Sequence, residues 1–164
     1  MRVLCASEFE TAGVPGRFVQ SSLSSNPRTG TVRGLHFQWP PSQEGKLVRC
    51  ISGAVFDVMV DLRPDSSTFL QHCAVELSEH NGRGVYIPPG FAHGFQVQEE
   101  GARVLYHMTD FFAAPLGDGY RYDDPAFGIR WPKPVTAISD RDLAARPFDA
   151  ERHRAEYARR AEHN

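Results

Sequence analysis

Short strand-like runs that end at glycine or proline recur along most of this sequence, and they restrict its fold more than any other feature. Three of them are KLVRCISGAVFDVMVDL (46–62), TFLQHCAVEL (68–77) and ARVLYHMTDFF (102–112). In the second half of the first run, apolar and polar side chains alternate with the two-residue period of a strand. Many short strands of this kind indicate an all-β sandwich or barrel. Within the first run, Ser52-Gly53 predicts the turn of a hairpin.

The segment GRGVYIPPGFAH (82–93) narrows the prediction. Gly82, Pro88, Gly90 and His93 are separated by five, one and two intervening residues. This spacing matches the second of the two cupin motifs, in which the histidine points into a barrel. We therefore predict an all-β, cupin-type jelly-roll barrel over residues 1–148 with a short C-terminal helix. The charged residues of 149–164 have only a thin apolar stripe and predict a solvated helical tail.

The first 30 residues are less regular. ASEFETAGV (6–14) predicts a short helical turn, and GRFVQSS (16–22) predicts a strand. The serine-rich stretch SSLSSNPRTG (21–30) predicts a loop, because it is rich in turn residues.

Composition excludes some classes of partner. The 164 residues are 41% hydrophobic and carry a formal net charge of −2, which suits one globular domain and gives no reason to propose nucleic acid or a membrane as partner. No run is long enough for a transmembrane helix, and the first residues lack the apolar core of a signal peptide. The three cysteines are widely spaced, so we expect a protein of the reducing cytoplasm.

The stretch GTVRGLHFQW (30–39) carries the first candidate functional residue, His36. In a regular strand, His36 shares a face with Gly34 and Gln38, whereas Arg33 lies on the opposite face with two apolar residues. A titratable ring on a face with little bulk suits a ligand pocket. The alternative is a hydrogen-bonded structural histidine.

A series of motifs then resembles one family. RGLHFQ, GKLVR, GAVFDVMVDLR, VELS, YIPPGFAHGF, LYHMTDFF, DDPAFGIRWP and SDRD occur in the order and spacing of dTDP-4-dehydrorhamnose 3,5-epimerases, from about Phe9 to Asp142. The resemblance implies a cupin-type homodimer that acts without cofactor or metal. It also implies a nucleotide-linked 4-keto-6-deoxyhexose as substrate, inverted at C3, C5 or both.

The resemblance also implies roles for individual residues. His36 matches the catalytic base, Asp142 the aspartate paired with it, Lys46 the lysine near the keto oxygen and Tyr106 the acid on the opposite face. Four further positions are expected to bind substrate: Arg33, Gln20, Gln38 and His93.

The chemistry of epimerisation needs groups of these types. A proton beside a ketone is removed by a base, and histidine has an unperturbed pKa of about 6.5. A carboxylate can orient the ring, a cation can neutralise the enolate, and a tyrosine can return a proton if nearby positive charge lowers its pKa.

Each residue also has a structural interpretation. Lys46 suits a solvated strand edge, and Tyr106 suits a core position with a satisfied hydroxyl. Asp142 could cap a helical turn that begins near Ser139, and Asp140 could replace it as the partner of His36.

Some residues depart from the family pattern. An Asp-x-Arg-Gly-x-Phe-x-Glu motif on two further N-terminal strands has no match in this sequence, and residues 20–23 read QSSL in place of Gln-Asp-Asn-His. Phe111 and Phe112 replace a tyrosine pair, and His107 replaces a lysine.

Two other functions remain alternatives. One is a metal-dependent cupin that binds Zn²⁺ or Fe²⁺ through His36, His93 and His107, although the usual His-x-His pair is missing. The other is an inactive carbohydrate-binding jelly roll. The four remaining histidines lie outside any motif and are predicted to be surface residues: His72, His80, His153 and His163.

Overall fold

The computed structural model describes residues 4–162, which form nine strands and three helices. The strands are β1 (Gln20–Asn26), β2 (Val32–Gln38), β3 (Lys46–Ser52), β4 (Ala54–Asp61), β5 (His72–Ser78), β6 (Gly84–Ile87), β7 (Phe91–Val97), β8 (Ala102–Met108) and β9 (Gly117–Gly119). The helices are α1 (Ala6–Thr11), α2 (Asp140–Leu143) and α3 (Ala150–Ala161).

The strands form two antiparallel sheets that pack face to face. One has four strands in the order β1-β8-β3-β6, and the other has five in the order β5-β4-β7-β2-β9. Val48 and Val104 from the first sheet are fully buried in one apolar cluster with Val55 and Phe95 from the second. Each such side chain contributes roughly 1.5–3 kcal/mol by leaving water. This architecture confirms the predicted all-β jelly-roll class with a short C-terminal helix.

The predicted hairpin at Ser52-Gly53 is wrong. β3 pairs with β6 and β8, whereas β4 pairs with β5 and β7, so the two strands belong to different sheets. Gly53 has a φ of +68°, and it turns the chain from one sheet to the other. A glycine turn between two apolar runs does not distinguish a hairpin from a corner, because the choice depends on which partners the remaining strands offer.

The N-terminal strand lies later in the sequence than predicted. β1 takes in residues 21–26 of the serine-rich stretch predicted as a loop, and it pairs with β8 along its whole length, from Gln20 opposite Met108 to Asn26 opposite Ala102. Seven consecutive pairings with a neighbouring strand outweigh the weak β propensity of serine and asparagine. The predicted helical turn at 6–14 is present as α1.

Helix α3 packs on the barrel, and the surface prediction for His153 is wrong. Asp149 caps the helix by accepting a hydrogen bond from the Arg152 N–H at 2.8 Å. The His153 ring is 1% exposed. Its Nε2 donates to the Leu62 carbonyl at 2.7 Å, so its Nδ1 accepts from the Tyr120 hydroxyl at 2.8 Å.

The aromatic cluster around His153 explains how a thin apolar stripe is sufficient to dock the helix. The ring lies within 6.3 Å of the Phe37, Trp39 and Phe148 rings, measured between centroids.

Of the other histidines predicted to lie at the surface, His72 and His80 are exposed, and His163 lies outside the described residues. No helix within residues 4–162 is long and apolar enough to cross a membrane.

Burial of His153 predicts acid-sensitive stability. Burial lowers the pKa of His153 below 6.5, although the hydrogen bond to Leu62 opposes the shift. The unfolded chain therefore binds an extra proton at His153 as the pH falls below about 6.5, and the contribution of this residue to the free energy of unfolding decreases by at most about 1.4 kcal/mol per pH unit. Urea unfolding between pH 8 and pH 5 measures this slope. We expect a shallower slope in His153→Gln and an unchanged one in the exposed control His80→Gln; an unchanged slope in His153→Gln would contradict the assignment.

Candidate active site

A cavity of about 290 Å³ lies between the two sheets. The five-stranded sheet contributes His36 and His93, and the four-stranded sheet contributes Gln20, Lys46 and Tyr106. Arg33 and Gln38 also line it, so seven of the eight predicted site residues face one space. The eighth, Asp142, lies behind His36.

An irregularity in β2 places two of these side chains. Arg33 pairs with Phe95 and His36 pairs with His93, so three steps along β2 correspond to two along β7. The extra residue is a β-bulge, and it brings Arg33 to the same cavity as His36. The prediction that these two side chains lie on opposite faces is therefore wrong, because strict alternation does not continue through a bulge.

Glycine at position 34 makes the bulge possible. Gly34 has a φ of +115°, and a Cβ there would lie 2.6 Å from the Gly94 Cα and 2.7 Å from the His93 carbonyl oxygen. The backbones of β2 and β7 therefore approach each other too closely for any side chain at this position.

His36 and Asp142 form a hydrogen-bonded pair at the cavity wall. His36 Nε2 lies 2.6 Å from Asp142 Oδ1, and Asp142 Oδ2 accepts a hydrogen bond from the Gly34 N–H at 3.2 Å. The Asp142 side chain is 5% exposed, whereas that of His36 is 41% exposed. An ionised carboxylate only accepts, so Nε2 carries the hydrogen and Nδ1 keeps its lone pair.

The two aspartates of α2 have different environments. Burial opposes ionisation of Asp142, but the hydrogen bond and charge of His36, together with the Gly34 N–H, hold the pKa of Asp142 below its ordinary value. Ser139 caps the helix by accepting from the Asp142 N–H, whereas Asp140 is exposed. The geometry therefore favours Asp142 over Asp140 as the partner of His36.

Lys46 is held by a residue that the sequence analysis missed. Its Nζ lies 2.8 Å from Glu44 Oε1. The other oxygen of Glu44 accepts a hydrogen bond from Gln38 Nε2 at 2.5 Å. Gln38 Oε1 in turn accepts from the Ala113 N–H at 2.8 Å, so both ends of its amide contact protein groups. A carboxylate two residues before Lys46 was the only sequence signal for this arrangement.

Tyr106 faces the same cavity from β8, next to a second buried pair. His93 Nε2 donates to Asp57 Oδ2 at 2.8 Å, and both side chains are buried. The Tyr106 ring stands nearly perpendicular to the His93 ring, with centroids 6.0 Å apart. Asp57 was also missed; its inward position in the alternation of β4 was the available signal.

Nearby positive charge does not lower the pKa of Tyr106. Burial and the negative charge of Asp57 raise the pKa of Tyr106 well above 10, and the positive charge of Arg33 only partly offsets them. The hydroxyl therefore holds its proton, as a proton donor must.

Arg33 and Gln20 are anchored by neighbouring groups. Arg33 Nε donates to Asn26 Oδ1 at 2.6 Å, which leaves the guanidinium facing the cavity. Gln20 Oε1 accepts from the Phe112 N–H at 3.2 Å. The Phe112 ring lines the cavity and is 53% exposed.

The three histidines of the metal alternative do not meet. His107 lies on the face of β8 opposite to Tyr106, where its Nδ1 is 2.8 Å from the Ser21 hydroxyl, and it does not line the cavity. Within residues 4–162, one group of three side chains has the spacing of metal ligands, and these three are exposed: Glu79, His80 and Glu99. None of the three lines the cavity.

Known proteins of one family resemble this chain in sequence. The sequence model described as dTDP-4-dehydrorhamnose 3,5-epimerase matches residues 1–150. The dTDP-4-dehydrorhamnose 3,5-epimerase of Sinorhizobium fredii is 46% identical over 125 residues. The aligned part is 76% of this chain and 64% of that protein, so the match spans somewhat less than two thirds of that relative's length.

Solved structures of the same family resemble it in fold. The epimerase of Bacillus anthracis, solved with TDP and PPi bound, has a TM-score of 0.87 and 37% identity, over 90% of this chain and 84% of that one. An epimerase of Legionella pneumophila, solved with dTDP-4-keto-L-rhamnose, has a TM-score of 0.84 and 40% identity, over 92% and 81%. On this evidence the chain belongs to the dTDP-4-dehydrorhamnose 3,5-epimerase family.

Proposed function

We propose that the protein is a nucleotide-sugar epimerase that inverts C3, C5 or both in a dTDP-4-keto-6-deoxyhexose. The observation that carries this proposal is that His36, paired with Asp142, faces the cavity from one sheet while Tyr106 faces it from the other. Inversion needs a base and an acid on opposite faces of one carbon, and two facing sheets supply these positions.

Proton removal is assigned to His36. Its Nδ1 takes the proton from the carbon beside the ketone, and the buried carboxylate of Asp142 stabilises the imidazolium that forms. The Lys46 ammonium lines the same cavity and neutralises the charge that develops on the ketone oxygen as the enolate forms.

Proton return is assigned to Tyr106. Its raised pKa keeps the hydroxyl protonated until the enolate carbon accepts the proton. The guanidinium of Arg33 stabilises the resulting tyrosinate, since its charge favours the ionised form.

Substrate binding is assigned to Arg33, Gln20 and His93. Gln38 contributes indirectly, by holding Glu44. The relatives from Bacillus anthracis and Legionella pneumophila bind TDP and dTDP-4-keto-L-rhamnose, which supports a dTDP sugar here.

We propose that the reaction needs no metal or cofactor. We also propose that the enzyme is cytoplasmic, in line with its three free cysteines. We propose no nucleic-acid or membrane partner, in line with the net charge of −2.

The outer face of the four-stranded sheet supports a homodimer. Leu23 and Ile51 are 45% and 43% exposed on it. Arg49 Nε and His107 Nε2 are buried there without a hydrogen-bond partner among the described residues. Covering this face with a second copy would bury the apolar side chains and could supply the missing partners.

Incubation in heavy water with dTDP-4-keto-6-deoxyglucose tests the function. NMR then locates any deuterium at C3 or C5 and shows whether the centre has inverted. An absence of both exchange and inversion would favour the inactive carbohydrate-binding alternative.

Substitutions of His36 and Tyr106 should have different effects. His36→Asn should lower deuterium exchange by about 10²–10⁴-fold, because the base is lost. Tyr106→Phe should keep exchange at the carbon that His36 deprotonates but lose inversion, because the proton then returns from the original side. Near-normal exchange in His36→Asn, or equal loss of exchange and inversion in Tyr106→Phe, would refute these roles.

The two aspartates of α2 provide a matched pair. Asp142→Asn removes the charge that stabilises the His36 imidazolium, and we expect exchange to fall by roughly 10²-fold or more. Asp140→Asn, on the exposed side of the same helix, should retain exchange within about twofold of the wild type. Equal rates for the two variants would exclude Asp142 as the partner.

A charge on the outer sheet face should separate the dimer. Sedimentation equilibrium should give twice the chain mass of 18.3 kDa for the wild type and the single mass for Ile51→Asp. Val135→Asp, at a similarly exposed apolar residue away from this sheet, should remain dimeric. A monomeric wild type, or a dimeric Ile51→Asp, would show that this face is not the interface.

A further inference from the structure

Glu44 is an acidic side chain enclosed in the wall of the cavity. It is 6% exposed, and its two oxygens contact different residues: Lys46 Nζ at 2.8 Å and Gln38 Nε2 at 2.5 Å. A carboxylate in this position is costly to bury unless both oxygens are paired, and here both are.

The segment that follows β8 supports Glu44 through its neighbours. Gln38 of β2 donates to one oxygen of Glu44 and is itself fixed by the Ala113 N–H. The backbone beside Glu44 is fixed as well, because the Gly45 N–H donates to Thr109 Oγ1 at 2.7 Å. A continuous series of polar contacts therefore runs from the Ala113 N–H through Gln38 and Glu44 to the Lys46 ammonium.

Lysine needs such support to act at a defined point. Its ammonium sits on a flexible four-carbon stem and has three N–H donors, and holding it in one rotamer costs about 2 kcal/mol of entropy. Glu44 engages one donor, and the ammonium can direct the other two towards a bound ketone oxygen. Arginine has a planar, pre-organised group and loses less entropy per hydrogen bond, so lysine relies more on its neighbours.

We propose that Glu44 and Gln38 are positioning residues that hold the Lys46 ammonium against the oxygen of the developing enolate. This proposal rests on the proposed function, and it gives Gln38 a role that differs from direct substrate contact. The competing view is that Glu44 merely neutralises Lys46. On that view its removal would expose more positive charge and would speed enolisation or leave it unchanged.

The test measures kcat and KM for deuterium exchange into dTDP-4-keto-6-deoxyglucose. In Glu44→Gln we expect kcat to fall by about 10–100-fold with KM within about threefold, because a displaced group weakens the transition state more than ground-state binding. Gln38→Met, which keeps the volume but removes both hydrogen bonds, should change kcat in the same direction by a smaller factor. The exposed control Glu100→Gln should match the wild type.

A double-mutant cycle with Lys46→Met separates positioning from a general structural effect. If Glu44 acts through Lys46, Glu44→Gln should reduce exchange by less than about twofold in the Lys46→Met background. Thermal unfolding of each variant checks that it is folded. An unchanged or raised kcat in Glu44→Gln, an effect confined to KM, or a full loss repeated in the Lys46→Met background would overturn the proposal.

The wild-type measurement distinguishes the two levels of failure. A wild type without exchange or inversion rejects the proposed function and the positioning role with it. A wild type that exchanges normally, beside a Glu44→Gln variant with the same kcat, rejects only the positioning role.

Discussion

The extra residue in β2 between Arg33 and His36 determines what faces the cavity from the five-stranded sheet. Without it, side-chain alternation would send Arg33 to the other face of the sheet from His36. With it, the cation and the imidazole reach the same space. The bulge depends on Gly34, which lies too close to the backbone of β7 for any Cβ. The Gly34 N–H also donates to Asp142, so the same local geometry orients the carboxylate behind the base.

The C-terminal end of β2 packs against the C-terminal helix. Phe37 and Trp39 pack in the aromatic cluster with Tyr120 and the buried ring of His153. His153 joins this cluster to the carbonyl of Leu62, the residue that follows β4. Through His153, helix α3 therefore packs against aromatic side chains at the C-terminal end of the strand that carries His36. Rigid support of this kind is what a general base needs, because proton transfer tolerates little displacement.

Three carboxylates at or behind the cavity wall each pair with a cationic or titratable side chain that lines the cavity. Asp142 pairs with His36, Glu44 with Lys46, and Asp57 with His93. Pairing holds the side chains in place, and it limits the cost of burying them. Tyr106 has no charge partner of this kind, and burial keeps it protonated. His36 and Tyr106 thus have different surroundings. The surroundings of His36 suit it to remove a proton on one face, and those of Tyr106 suit it to return a proton on the other.

Local patterns in the sequence determined the fold class and most of the cavity residues. Alternating side chains and Pro-Gly turns predicted the all-β jelly roll, and the motifs around His36, Lys46, His93 and Tyr106 predicted side chains that the structure brings to one cavity. These features are encoded within a few residues of one another. The tertiary structure decided what depends on distant partners. Asp142 rather than Asp140 meets His36 across 106 positions of sequence. Sheet pairing decided that Gly53 forms a corner and that Arg33 faces the cavity. Packing decided that His153 is buried and that Glu44 contacts Lys46. None of these could be predicted locally, because a side chain's surroundings exist only once the two sheets have closed.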